Sequence, residues 1–179
     1  MKVIADLEVH SKYARAVSDR MNVATIAEAA LLKGINLVGT GDFTHPLWLK
    51  ELETNLSEAE SGVYRIKTRD FNVRFLLTSE ISCIYSHRGK VRRVHILVFL
   101  PSITMVKKFN EELTNRGANL FSDGRPIVGL SLANIVEVAL STTPDAIVIP
   151  AHVWTPWFGF YGSFGGYDSL EEAFGNLEK

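Results

Sequence analysis

Val3-Ile4-Ala5-Asp6-Leu7-Glu8-Val9-His10 opens the chain with an apolar run that closes on Asp6, Glu8 and His10. Short apolar runs bounded by polar residues read as buried strands. Similar runs at 37–42, 75–80, 94–99 and 146–152 carry Asp42, Glu80, His95 and His152 at or near one end. His95 differs in starting its run instead of ending it. Side chains gathered at one end of several strands point to an α/β barrel, which keeps its site there. Carboxylate mixed with imidazole is also the ligand set that suits zinc or manganese.

The segments between these runs fill in the architecture. Asn22 as N-cap and Gly34 just past the end bracket a helix over 23–33. A second strand is expected over 35–40. Pro46 suits the first turn of a helix reaching residue 56. After Gly62 the pattern becomes β, with strands over 63–67 and 73–78 around a polar turn at 68–72. A further pair, 81–85 and 91–99, flanks Ser86-His87-Arg88-Gly89-Lys90. Helices are expected over 102–116 and 130–140, then a strand over 146–150. Asp168 as N-cap and Glu171 three residues on mark a last helix start. Alternating strands and helices predict a largely parallel α/β sheet. No repeat, low-complexity tract or linker interrupts it, so one domain is expected over 1–179.

Composition narrows the function. With 179 residues, 46% hydrophobic and 22% charged, the chain can build one ordinary core. A net charge of −1 excludes a polycation, so any nucleic-acid contact must use a local patch. Cys83, the single cysteine, excludes an internal disulfide and a Cys-rich zinc module in this chain; its simplest reading is a small core hydrophobe. With no signal-like start and no apolar run near ~20 residues, a cytoplasmic protein away from membranes is expected. The oligomeric state is left open.

Asp6-Leu7-Glu8-Val9-His10-Ser11 resembles the first motif of the PHP (polymerase and histidinol phosphatase) superfamily, usually Asp-Leu-His-x-His-Ser. Gly39-Thr40-Gly41-Asp42 resembles the second motif, and Glu80, His95 and Ala151-His152 follow in the family's order. Within the superfamily the chain looks most like the endonuclease Q family. Gly39-Thr40-Gly41-Asp42-Phe43-Thr44-His45-Pro46, Thr78-Ser79-Glu80-Ile81-Ser82, Arg92-Arg93-Val94-His95 and Pro150-Ala151-His152-Val153-Trp154-Thr155-Pro156-Trp157-Phe158 carry that likeness.

The resemblance implies a distorted, TIM-like (β/α)7 barrel with metal at the C-terminal strand ends. It implies metal-dependent cleavage of a DNA phosphodiester beside a deaminated base or abasic site, with damaged DNA as partner. The implied ligands are Glu8, His10, Asp42, Glu80, His95 and His152, holding one or two zinc or manganese ions, with magnesium also admissible. Glu80 and Asp42 would be catalytic, Glu80 bridging two ions, while Asp6, His45 and Ser82 would order ligands from behind. Glu8 departs from the pattern, standing where the family usually has His. The family's closing Asp-x-His motif and final strand are not in the sequence, so 1–179 is expected to be an incomplete PHP catalytic domain. The alternatives are a PHP-type phosphoesterase on a small phosphate monoester, or an inactive, metal-poor binding fragment.

Two further features suit DNA. Arg88, Lys90, Arg92 and Arg93 form a basic stretch leading to His95, fit for backbone phosphates. Trp154 and Trp157 open an aromatic, Gly-rich loop after His152, whose rings could stack on an unpaired base. Plainer readings stand beside these: solvated charges on a hairpin, a hydrophobic cover, Asp42 as a turn residue, His95 as a satisfied sheet histidine.

Overall fold

The structure is a computed structural model that describes residues 2–68 and 71–175. Part of the polar turn expected at 68–72, and the end of the last expected helix, lie outside the described residues. The chain starts with a short strand, β1 (Ala5–Asp6), and reaches α1 (Val23–Leu32) through a loop. Asn22 caps α1 as expected: its side chain accepts from the N–H groups of Ala24 and Thr25, and Thr25 accepts in return from the Asn22 N–H. β2 (Leu37–Gly39) follows, then α2 (Pro46–Asn55) with Pro46 in its first turn.

The next stretch holds two antiparallel pairs. β3 (Leu56–Glu60) leaves α2 directly and turns back into β4 (Val63–Ile66). β5 (Arg74–His87) is one strand of 14 residues where two were expected, and its hairpin partner is β6 (Lys90–Leu100). Beyond them come α3 (Ile103–Asn115), β7 (Ile127–Val128), α4 (Leu132–Thr142), β8 (Ile147–Pro150) and α5 (Leu170–Phe174). Ser169, not the expected Asp168, caps α5, accepting from the Glu172 N–H.

Among the described residues these strands form one eight-stranded sheet. β1, β2, β5 and β7 pair in parallel, while β3–β4, β4–β5, β5–β6 and β6–β8 are antiparallel. The expected largely parallel sheet is therefore corrected to a mixed one. The physical reason is connection length, because tight hairpins cannot make the crossover that a parallel pair needs. Among the described residues β1 pairs only with β2 and β8 only with β6, so the sheet is open between them rather than closed into the expected barrel.

Strand period decides which side chains meet. Phe75, Leu77, Ile81 and Cys83 of β5, with Val94, Ile96, Val98 and Leu100 of β6, point into the main core with Ile26, Phe109 and Ile135 from the helices. Cys83 is fully buried there, and burial pushes its thiol pKa up. The register pairs Glu80 with Leu97 and Ser82 with His95, so these residues share the opposite face. Leu97 and Phe99 pack there against Ala151, with Leu7 and Leu76 at the margin. One face of the long hairpin thus supports the helices and the other carries the chemistry. No helix of the described residues is long and apolar enough to cross a membrane.

Candidate metal centre

Glu80 is the hub. It lies in mid-strand, 2% exposed, between Thr78 and Ser82 on the site face of β5. Its Oε1 is 2.8 Å from His95 Nδ1 and 3.2 Å from His152 Nε2. Its Oε2 is 3.2 Å from His10 Nε2 and 3.1 Å from an Arg125 guanidinium nitrogen. Burial would raise its carboxyl pKa, but hydrogen bonds from His10 and His95 and the charge of Arg125 outweigh that and hold it well below the usual range.

Each imidazole is oriented from behind. Asp42, fully buried, accepts at Oδ1 from His10 Nδ1 (2.9 Å) and at Oδ2 from the Ser11 N–H (2.6 Å) and Ser11 hydroxyl (2.7 Å). Hydrogen bonds to Asp42 and then to Glu80, working against burial, lift the His10 pKa to about 9. Thr155 Oγ1 lies 2.8 Å from His152 Nδ1 and 2.9 Å from the carbonyls of His152 and Trp157. A carbonyl cannot donate, so the hydroxyl gives its one proton there and accepts from His152 Nδ1–H. That leaves the Nε2 lone pair of neutral His152 facing Glu80 and His95, as a metal ligand requires. His95 receives the Phe158 ring, stacked at 4.4 Å, and donates its backbone N–H to the Phe158 carbonyl.

The loops that carry these groups are tightly made. Asp42 and His152 have positive φ, 50° and 28°, uncommon outside glycine and typical of functional turns. Gly41 has φ +62°, and a Cβ on it would stand 1.9 Å from the Val9 carbonyl oxygen. A Cβ on Gly124 would meet Asp42 Oδ2 at 2.5 Å. The fully buried Trp48 indole of α2 donates to the Gly41 carbonyl at 2.7 Å and anchors the turn before Asp42.

The donor set fits a divalent cation. One oxygen of Glu80, His95 Nδ1 and His152 Nε2 make a triangle with edges of 2.8, 3.0 and 3.2 Å. Ligands in a tetrahedral zinc site stand about 3.3 Å apart, so a small opening would suffice. Acceptors that face one another this closely need a proton or a cation among them. Glu80, His95 and His152 form a group whose ligand atoms lie within 4.8 Å of one another, and His10 adjoins it through Glu80.

The structure thus brings His10, Glu80, His95 and His152 together. Glu8 is exposed but feels the same centre: burial first, then the Glu80 charge, raise its pKa, against the three histidines. Asp42 stands behind His10 and spends both oxygens on His10 and Ser11. Asp6 lines a small cavity of about 90 Å³ with Ile26, Ala30 and Lys33 of the α1 side, so the ordering role expected of it falls to Asp42 and Thr155. His45 packs away from the ligands, stacked on Tyr13 at 4.5 Å, and burial lowers its pKa.

Beside the cluster is a cavity of about 420 Å³. Ser82, His95 and His152 line it together with Arg15, Arg125, Trp157 and Phe158. Trp157, 55% exposed, stacks on Phe164 at 4.5 Å, and the more exposed Trp154 stacks on Tyr161 at 5.1 Å. Arg88 and Lys90 are exposed at the tip of the β5–β6 hairpin, and Arg93 is half-buried. Arg92 is different. It is 4% exposed, bonds the Gly166 carbonyl and Glu172, and lies 4.2 Å from the centre of the Tyr167 ring. Its charge is used inside the protein, which corrects the expectation that it meets phosphate. Sequence reading missed Arg125, Thr155 and Ser11. Ser11 ends the first motif and could have been noticed; nothing in Asp123-Gly124-Arg125-Pro126 flags Arg125.

No protein-family model matches the chain. Two crystal structures do match, each over 97% of the chain at 38% identity, with TM-scores of 0.81 and 0.82. One is the lesion-specific endonuclease PfuEndoQ from Pyrococcus furiosus. The other is endonuclease Q in complex with a 27-mer duplex substrate that has an abasic lesion at the active site. The chain is thus similar in sequence and fold to part of endonuclease Q. It spans 40% of those chains. Among curated relatives, YqxK of Bacillus subtilis is 33% identical over 193 aligned positions, covering 97% of this chain and 46% of that protein. MJ0043 of Methanocaldococcus jannaschii is 32% identical over 151, covering 84% of this chain and 16% of that protein. Both relatives are described as uncharacterized, and the chain spans less than half the length of either.

Proposed function

We propose that this endonuclease Q-like chain carries the metal centre of a DNA repair endonuclease of the PHP superfamily, one that hydrolyses a phosphodiester beside an abasic site or a deaminated base. The observation that carries the reading is the Glu80–His95–His152 group beside an open cavity with arginines and aromatic rings on its walls. The match of 97% of this chain to 40% of a structure holding abasic duplex supports it. In this reading 1–179 is a PHP catalytic domain whose open sheet belongs to a (β/α)7 barrel, in a cytoplasmic protein.

Glu80, His10, His95 and His152 would hold zinc or manganese, one ion or two, with Glu8 at the approach. A bound metal supplies an activated water and neutralises charge at phosphorus. The rest falls to the chain's own side chains. Asp42 and Thr155 keep the ring nitrogens of His10 and His152 turned inward. Trp157, with Phe164 behind it, offers a flat face to a base that has lost its partner. Arg88 and Lys90 lie five to eight residues along their strands from His95 and Glu80, roughly 16–26 Å at 3.3 Å per residue. That distance suits phosphates about 5–8 base pairs from the cut rather than the cut itself.

The test is incubation of the full-length protein with labelled duplexes carrying one abasic site, one uracil, one hypoxanthine or no lesion, in manganese, magnesium or zinc. Nicking at the lesion that EDTA abolishes is the expected result. Metal bound in stoichiometric amount with no lesion-dependent nicking would sink the proposal, and turnover of small phosphomonoesters without DNA binding would favour a phosphatase.

A further inference from the structure

Arg125 is partnered with Glu80, the hub of the candidate metal centre. Its guanidinium stands 3.1 Å from Glu80 Oε2, the oxygen that His10 Nε2 also approaches. About a third of its side chain remains exposed, and it lines the 420 Å³ cavity. Arg15 lines the same cavity, and the two are set side by side by one group: Asp123 Oδ1 accepts from the backbone N–H of Arg125 (2.9 Å) and of Arg15 (3.3 Å). Two arginines lining one cavity, with Trp157 and Phe158 also around it, match a ligand with an anionic part and a planar part. A nucleotide unit has both.

We infer that Arg125, assisted by Arg15, seats the phosphate group that is cut, and that in the metal-free protein the guanidinium is parked on Glu80. This rests on the endonuclease reading above and adds a residue to it. A cation held by Glu80 and its histidines would satisfy the charge that Arg125 otherwise balances, which would free the guanidinium to turn into the cavity. A planar fork of N–H donors suits two phosphate oxygens at once, and it favours negative charge that grows there during hydrolysis. The inference separates two roles. A merely structural Arg125 would keep Glu80 in place, and its loss would cost metal. A parked Arg125 competes with metal, and its loss would leave metal binding equal or tighter.

The experiment uses the full-length, metal-loaded protein and its Arg125→Met, Arg125→Lys and Arg15→Met variants. Single-turnover cleavage of an abasic duplex is read first. Binding is then read by the anisotropy of a duplex already nicked at the lesion, which is not consumed, across a salt series. Metal content and melting temperature accompany each variant. Arg125→Met is expected to cleave about 10²–10³-fold more slowly. The log–log salt slope of its binding should fall by about 0.9, as for one lost phosphate contact. Its metal content should not drop. Arg125→Lys should keep the slope and recover part of the rate, and Arg15→Met should show a smaller loss of the same kind. Unchanged rate and slope in Arg125→Met, with wild type active, would overturn the phosphate seat alone, as would slow cleavage accompanied by lost metal. A wild-type protein that loads metal but neither binds nor nicks the lesion would overturn the endonuclease reading, and the seat with it.

Discussion

Asp42→Asn removes one charge from a fully buried position and changes almost nothing in shape. Asparagine tolerates the φ of 50° found there, so the backbone has no reason to move. The hydrogen bonds cannot all survive. Wild-type Asp42 accepts three: from the Ser11 N–H, the Ser11 hydroxyl and His10 Nδ1. An amide has one oxygen, and the Ser11 pair will claim it. Its NH2 then faces His10 Nδ1 and must donate. The His10 proton is driven to Nε2, where it points at Glu80 and blocks the lone pair a metal needs. Bonds to a charged acceptor are worth about 1.5–3 kcal/mol each. Exchanging all three for neutral bonds worth about 0.5–1.5 kcal/mol each costs about 3–4.5 kcal/mol, or roughly 6–18 °C for a chain of this size. Calorimetry of the chelated protein reads the melting shift. Long-range ¹H–¹⁵N NMR reads the His10 tautomer and its titration, expected to fall from about 9 towards 6.5 because the Asp42 bond is the largest cause of its elevation. Metal titration should show weaker binding. A melting temperature within 2 °C of wild type, with His10 still titrating near 9, would refute the reasoning.

Three other outcomes follow from the same geometry. Chelated protein should lose stability as pH rises: the raised His10 pKa contributes fully below 6.5 and is lost towards about 9, which corresponds to about 3 kcal/mol, whereas Glu80, held low, contributes above 4.5 and is lost only in acid. Melting curves from pH 6 to 10 check this, and saturating metal should flatten them by displacing the proton. Gly41→Ala should cost more than about 3 kcal/mol and abolish stoichiometric metal, since its Cβ would lie 1.9 Å from the Val9 oxygen beside His10, whereas Gly34→Ala, with φ +70° and nothing within 4 Å, should cost only about 1 kcal/mol and keep the metal; melting and metal analysis separate them. Arg92→Met should lower stability by about 2–4 kcal/mol while leaving the salt slope of DNA binding unchanged, and Arg88→Gln with Lys90→Gln should do the reverse, lowering the slope by about 1.8 at constant melting temperature.

What could be read from the sequence divides along a physical line. Local signals held: Asn22, Pro46 and Ser102 mark helix starts because a cap needs only its next few residues. The convergence of His10, Glu80, His95 and His152 was also legible, since each sits in or just after an apolar strand that has one place to go. Reading all five runs as strand ends was too simple. Thr78-Ser79-Glu80 interrupts the apolar pattern, but β5 passes straight through it. Thr78 accepts from the Gly41 N–H, Ser79 pairs with Thr44, and Glu80 meets the histidines, so each polar group is satisfied inside the sheet. Partners that distant leave no trace in local pattern. Arg125 illustrates the limit, 45 residues from Glu80 in sequence and in a loop with no periodicity. Arg92 and Arg93 illustrate it differently, being adjacent identical residues with opposite fates. Strand alternation sends Arg92 inward to Tyr167 and Glu172, and only the identity of what waits there turned a basic run into an internal staple. The residues that carry chemistry were therefore visible by type, while the residues that aim them became visible only once the loops after β1, β2 and β8 were folded against one another.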